Sequence, residues 1–229
     1  MKLVIVRHGD PDYSIDSLTE KGWKEVEYLS EKLSKFDVKE FYVSPLGRAK
    51  DTASLTLKKM NRTAVECDWL REFDVLIDRP DVTDRKIILW DWLPQDWTKD
   101  ERFYQYDHWF ENKRLQKADA KGYYDYVTGK FDELLASHGY VREGHYYRAE
   151  KANNDTLVFF CHFVFAFYYA AYSLTEDAVN TASGIEIAIG RTPLNLLYSG
   201  NAAVCLFLVF SGFVLCLSYF RTRDKKRLK

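Results

Sequence analysis

Two short apolar runs, each ending in a histidine, constrain this chain more than any other feature. Lys2–Arg7 reads KLVIVR and leads into His8-Gly9; Asp155–Cys161 reads DTLVFFC and leads into His162. A strand that is apolar at consecutive positions has no face for water, so both faces must be covered, as in a parallel sheet between helix layers. The intervening chain supplies helices. Trp23, Val26, Leu29, Leu33 and Phe36 recur at three or four, and Ser17-Leu-Thr-Glu20 has the spacing of a capping box, which predicts an amphipathic helix. Phe41–Val43 reads as a strand ending at Ser44-Pro45, with Pro45 placed to open a helix over Leu46–Lys59. A short strand near Ala64–Cys67 and a helix over Tyr123–Ser137, stopping at His138-Gly139, complete the pattern. Alternating strands and helices predict an α/β fold: three layers, with a mostly parallel central sheet and helices on both faces. Residues 78–121 interrupt this alternation. They carry Trp90, Trp92, Trp97, Trp109 and Pro94, and they read as an inserted cap over the site with a helix near 100–116.

Charge and composition narrow the function. The formal net charge is −1, which argues against a nucleic-acid partner held by bulk charge. Cys67, Cys161, Cys205 and Cys216 lack CxxC spacing, so neither a disulfide framework nor a cysteine-based zinc site is expected. Met1 leads straight into the first strand with no export signal, which predicts a cytoplasmic catalytic domain. Composition shifts sharply near the end. From Leu157 to Phe220 the only acidic or basic side chains besides His162 are Glu176, Asp177, Glu186 and Arg191, and a basic tail, Arg221–Lys229, follows. Residues 163–229 therefore read as a hydrophobic helical extension. Ala202–Phe220 is uncharged and as a helix would reach about 28 Å, close to a bilayer core. A membrane tether through 202–220 is the expectation, with residues 1–162 as the catalytic domain.

Several side chains point to phosphate chemistry. His8 and His162 each sit where a buried strand ends, and ligands of open α/β sheets bind beyond the carboxyl ends of the strands. Arg7 precedes His8, and Arg48 lies in the first turns of the helix after Ser44-Pro45. Converging guanidinium groups suit phosphate oxygens, because they stay charged and bind in a bidentate fork. A neutral imidazole at His8 can attack phosphorus, while Arg7, Arg48 and a protonated His162 can stabilise the charge on the oxygens. Glu72 is the candidate proton donor to the leaving oxygen. Cys161 sits beside His162 but points to the opposite side of the strand, so it reads as core.

Taken together, these residues resemble the histidine phosphatase superfamily, which includes the phosphoglycerate mutases. The resemblance rests on Val6-Arg7-His8-Gly9, Leu18-Thr19 with Gly22, Ser44-Pro45-Leu-Gly-Arg48-Ala-Lys-Asp-Thr52-Ala53, Leu70-Arg-Glu72 and Val158-Phe-Phe-Cys-His162. It covers about residues 1–162. It implies His8 as nucleophile, Glu72 as proton donor, and Arg7, Arg48 and His162 as the phosphate pocket, acting on a small phosphorylated substrate with no metal and no organic cofactor. The chain departs from the family at Phe163, where a glycine is usual. Residues from about Phe159 to Phe220 resemble instead an amino-terminal fragment of a membrane acyltransferase family acting on carbohydrates, through Cys161-His162-Phe163, Ala166–Tyr172, Asn201–Phe207 and Phe210–Phe213. That pattern suggests a chimera joined near His162. The alternative function is a membrane-tethered, catalytically impaired module that binds phosphate esters.

Overall fold

The structure, a computed structural model, describes residues 1–105, 108–144 and 146–162. In chain order, β1 (Lys2–Arg7), β2 (Pro11–Asp12) and β3 (Ser17–Leu18) lead to α1 (Glu20–Leu33). Then come β4 (Glu40–Val43), α2 (Gly47–Met60) and β5 (Val65–Glu66). The middle of the chain holds β6 (Leu76–Ile77), β7 (Ile87–Ile88), α3 (Pro94–Trp97) and α4 (Lys113–Lys117). The elements α5 (Ala120–Ser137), β8 (Tyr140–Glu143), β9 (Tyr146–Ala149) and β10 (Thr156–Cys161) follow.

The sheet has the order β1-β10-β4-β5, and every pairing in it is parallel. All six residues of β10 are buried, as expected of an inner strand with no face to water. Alternate residues feed two cores. Val158 and Phe160 pack with Leu33 of α1 and with Ala49 and Ala53 of α2. Leu157, Phe159 and Cys161 pack with Phe131 and Leu135 of α5 and with Trp69 and Leu70. The predicted three-layer α/β architecture is therefore present. The register pairs Lys2 with Thr156 and Arg7 with Cys161, and the His8 N–H donates to the Cys161 carbonyl at 3.0 Å. His8 and His162 thus leave the sheet side by side.

Helix α1 forms where predicted, but its cap differs. Thr19, not Ser17, is the N-cap, and its hydroxyl accepts the Gly22 N–H at 3.1 Å. The same hydroxyl reaches the Asp10 carboxylate at 2.7 Å, which pins it at the helix entrance, while the Ser17 hydroxyl donates to Asp51 at 2.5 Å. Trp23 and Phe36 fall outside the buried stripe, with 37% and 47% exposure, and Phe36 lies beyond the end of the helix. Helix α5 starts earlier than predicted, capped by Asp119, and stops as expected before Gly139, whose φ of 88° suits glycine.

The single cap helix expected near 100–116 does not form. The segment breaks into 3-10 turns at Glu101–Tyr104 and Trp109–Glu111 and the short helix α4. Two separate caps explain the break. Asp100 accepts from the Arg102 N–H, and Asn112 accepts from the Arg114 N–H, so each begins its own turn. The cap has its own core of Phe73, Val75, Ile77, Trp92, Leu115 and Ala120. A hairpin, β8 with β9, fills a stretch to which the sequence assigned no element. The predicted extension 163–229, its span at 202–220 and Phe163 lie outside the described residues. Among the described residues, no helix is long and apolar enough to cross a membrane.

Candidate active site

The site begins at the carboxyl ends of β1 and β10. His8 is 6% exposed, and its Nδ1 lies 2.8 Å from the Gly9 carbonyl. A carbonyl only accepts, so Nδ1 carries the hydrogen and the lone pair resides on Nε2. Burial holds His8 below the ordinary imidazole range. Arg7 and Arg48 push the same way, outweighing the Gly9 bond and Asp16. The backbone here is clamped to both flanking helices. The Gly9 N–H donates to the Thr52 hydroxyl of α2 at 3.0 Å, and Gly22 lets α1 approach so closely that a Cβ there would collide with the Asp10 carbonyl.

His162 is fully buried, and the His8 and His162 ring centroids are 5.2 Å apart. Its Nε2 lies 2.8 Å from the Ser44 hydroxyl, at the end of β4. The Leu46 N–H donates to that hydroxyl at 3.3 Å, and when the Ser44 hydrogen points at Nε2 the ring hydrogen sits on Nδ1. Among the described residues Nδ1 has no hydrogen-bond partner, and it lies 3.9 Å from Glu72 Oε2. That distance is too long for a hydrogen bond. Burial, with Arg48 and His8, pushes His162 down to about 3. His162 is therefore neutral in the protein alone, and the 3.9 Å contact is not an ion pair. Positive neighbours and a dry site outweigh the carboxylates nearby. Glu72 follows the turn Asp68–Leu70, and its Oε1 accepts the Phe73 N–H at 3.3 Å.

Arg48 stands in the first turn of α2 and is held by a residue the sequence analysis missed. Asp16 accepts from Arg48 Nη1 at 2.5 Å and from the Gly47 N–H at 2.7 Å. Gly47 makes this possible: a Cβ there would run into the Asp16 carbonyl oxygen. Asp16 has φ 48°, a left-handed turn that Asp tolerates better than most residues. Burial opposes its charge, yet the Gly47 N–H and Arg48 hold it below the ordinary carboxylate range. Arg48 Nε is buried without a hydrogen-bond partner among the described residues, and Tyr13 stacks on the guanidinium at 5.4 Å. Arg7, at the end of β1, is near enough to disfavour charge on both imidazoles. All five residues predicted from the sequence thus fall in one neighbourhood, and Asp16, Ser44 and Thr52 support them. Cys161 is buried on the other side of the sheet, and burial pushes its thiol up, as a core residue should.

Fold and site define a class: parallel α/β domains that bring two imidazoles, two arginines and a carboxylate to one strand-end crevice. The chain belongs to the histidine phosphatase superfamily (branch 1), whose family model matches residues 3–140. That span stops short of β10, so His162 joins the site through the sheet register. A 2,3-bisphosphoglycerate-dependent phosphoglycerate mutase of Thermoplasma acidophilum is 33% identical over 72 residues, 27% of this chain and 36% of that protein. The match therefore spans about a third of the relative's length. Among solved structures, a mycobacterial glucosyl-3-phosphoglycerate phosphatase complexed with VO3 is similar at TM-score 0.43 and 18% identity, covering 74% of this chain and 79% of that one. The alpha-ribazole phosphatase of Shigella flexneri is similar at TM-score 0.42 and 18% identity, covering 75% and 78%.

Proposed function

We propose that the protein hydrolyses, or transfers, the phosphoryl group of a small phosphate monoester through a phosphohistidine on His8. The observation that carries this reading is the state of His8: neutral, with its hydrogen tied to the Gly9 carbonyl, so that Nε2 offers a lone pair beside His162 and Arg48. Nε2 attacks phosphorus, and the bond to the ester oxygen breaks with its electron pair. Glu72, protonated, gives its proton to that oxygen, and the same carboxylate then takes a proton from the water that attacks the phosphohistidine. Arg7 and Arg48 receive the phosphoryl oxygens. The partnerless donors Arg48 Nε and His162 Nδ1 are the buried groups that such oxygens would satisfy. The negative charge of a bound phosphoryl group would favour protonation of His162. No metal or organic cofactor enters these steps. The partial likeness to a phosphoglycerate mutase supports a small phosphorylated substrate.

Brief reaction with a phosphate monoester, followed by acid quench, tests this. An acid-labile phosphoryl label should appear in the wild type and be absent from His8→Ala, with hydrolysis down by at least ~10⁴-fold. Hydrolysis that survives His8→Ala overturns the reading.

The same proposal assigns residues 1–162 to the catalytic unit, with 78–121 as its cap. Residues 163–229 form an added apolar segment carrying the acyltransferase-like pattern and a membrane tether at 202–220. Support for the extension is compositional: the uncharged run Ala202–Phe220 followed by the basic tail. Sequencing source DNA across codons 155–170 in single long reads tests the chimera. An unbroken frame in independent reads supports a real junction, and reads that diverge there overturn it. Membrane flotation of the full chain, against a chain ending before 202, tests the tether.

A further inference from the structure

The three groups assigned above to nucleophile, proton donor and phosphate contact are also a ligand set for a transition-metal cation. Ligand atoms of His8, Glu72 and His162 lie within 4.8 Å of one another. We propose that a divalent zinc-type cation binds these three side chains and switches the enzyme off, an effect that rests on His8 being the nucleophile. Two imidazoles and one carboxylate are a common zinc donor set with a fourth position left for water. The metal here is an inhibitor and not a cofactor, because it takes the lone pair that His8 needs for attack.

The supporting bonds are already in place. A ligating histidine usually donates its other ring N–H to a fixed acceptor, which orients the ring and sets its tautomer. His8 does this now, from Nδ1 to the Gly9 carbonyl, leaving Nε2 to bind. His162 presents Nδ1, fully buried and without a hydrogen-bond partner among the described residues, 3.9 Å from the Glu72 carboxylate. Binding through Nδ1 moves the ring hydrogen to Nε2, which then donates to Ser44. A hydroxyl can donate or accept, so the 2.8 Å contact survives the change. Zinc bonds of about 2.0–2.1 Å at tetrahedral angles need ligand atoms roughly 3.3 Å apart. The cluster therefore has to contract by side-chain rotation, with no change in the sheet.

Charge selects the kind of cation. Arg7 and Arg48 oppose any dication, whereas Glu72 and Asp16 favour it. A hard ion such as Mg²⁺, which prefers oxygen and keeps its waters, gains little from two imidazoles. A cation with strong bonds to nitrogen gains most, which favours Zn²⁺.

The test uses the full chain, stripped with a chelator and titrated with Zn²⁺ alone. Calorimetry should show one site per chain, and X-ray absorption at the zinc edge should show two imidazole nitrogens and a carboxylate oxygen without sulfur. Glu72→Gln and His8→Asn should each weaken binding at least tenfold, and Ser44→Ala by about tenfold through loss of the support to His162. Inhibition of phosphate-ester hydrolysis should track occupancy and be reversed by chelator, with Mg²⁺ inert. Sulfur ligation, affinity unchanged in all three variants, or no binding at millimolar Zn²⁺ would each overturn the site. Zinc that binds as described to a chain inactive even without metal would leave the site standing and refute the proposed function. An active, metal-free enzyme indifferent to Zn²⁺ would refute the metal site alone.

Discussion

The crevice end of the sheet and the cap are built by different means. In the sheet, four parallel strands share a hydrogen-bond register, and β10 is buried along its whole length. In the cap, short turns and two-residue strands are held by edge-on aromatic contacts, such as Trp92 on Phe103 and Trp109 on Tyr124, and by surface ion pairs such as Lys117 with Asp78. Strand register fixes direction as well as position, so a group at a strand end is aimed with little freedom. Aromatic packing in short turns fills space with less demand on direction. Chemistry that needs atoms placed to a fraction of an ångström belongs on the first kind of structure, and a surface that shapes access can use the second.

The sharpest test of this contrast is one deletion in each region. Phe159 is fully buried between Tyr42 and Phe131, with ring centroids at 5.0 and 5.9 Å. Phe159→Ala should cost about 3–5 kcal/mol of stability and abolish activity as the sheet loosens. Trp97 is only partly buried against the cap core. Trp97→Ala should cost roughly half as much and change KM more than kcat. Chemical denaturation of both variants, with kinetics on each, checks this. Equal losses of stability would show that the cap is as tightly specified as the sheet.

Asp16 extends the comparison to a loop that borrows precision from a helix. Asp16→Asn keeps a side chain suited to the left-handed turn but removes the charge that holds Arg48. We expect kcat/KM to fall by about 10- to 100-fold, the scale of a misplaced binding group, with thermal stability nearly unchanged. A parallel loss of stability would make Asp16 a folding residue instead. Asp16 also marks where the sequence stops being legible. His8, His162, Arg7 and Arg48 were readable because each adjoins a strand end or a helix start, and those elements follow from apolar runs and periodicity; Glu72 was readable only through the resemblance of Leu70-Arg-Glu72 to the family. Asp16 lies 32 residues from its partner in a turn-rich stretch, Asp12-Tyr-Ser-Ile-Asp-Ser17. That stretch announces a loop without saying which carboxylate meets an arginine. The cap helix near 100–116 failed for a related reason. Dense aromatics supply apolar material at every phase, while local caps at Asp100 and Asn112 decide the turns. The charge state of His162 in the empty crevice was not legible either, because it depends on burial and neighbours, which only the assembled crevice supplies.

The buried imidazoles predict an acid-sensitive crevice. His162 titrates at about 3 in the folded protein, against an ordinary value of 6.5. Between these values the unfolded chain binds the proton that the folded chain refuses. Stability therefore rises with pH through this window and falls as pH drops from about 6.5 toward 3, with a slope of up to ~1.4 kcal/mol per pH unit. His162→Asn should flatten the slope measured by denaturant titration at a series of pH values. His8, also depressed, should stay neutral and competent below the usual imidazole range. An unchanged slope in His162→Asn would move the acid sensitivity elsewhere.

The smallest expected effect lies in the cap. Trp92 is 8% exposed, stacks edge-on against Phe103, and buries an indole N–H with no hydrogen-bond partner among the described residues. An unsatisfied buried donor costs about 1–3 kcal/mol, so Trp92→Phe removes a penalty while giving up part of the ring's packing. The two terms are similar in size and opposite in sign. The net change in stability should therefore stay within about 1 kcal/mol, whereas Trp92→Ala, which loses packing without a compensating ring, should cost about 3–5 kcal/mol. Should Trp92→Phe prove as damaging as Trp92→Ala, the indole nitrogen must be bonded in solution. The cap would then depend on a directed polar contact, and its difference from the sheet would narrow to one of element length.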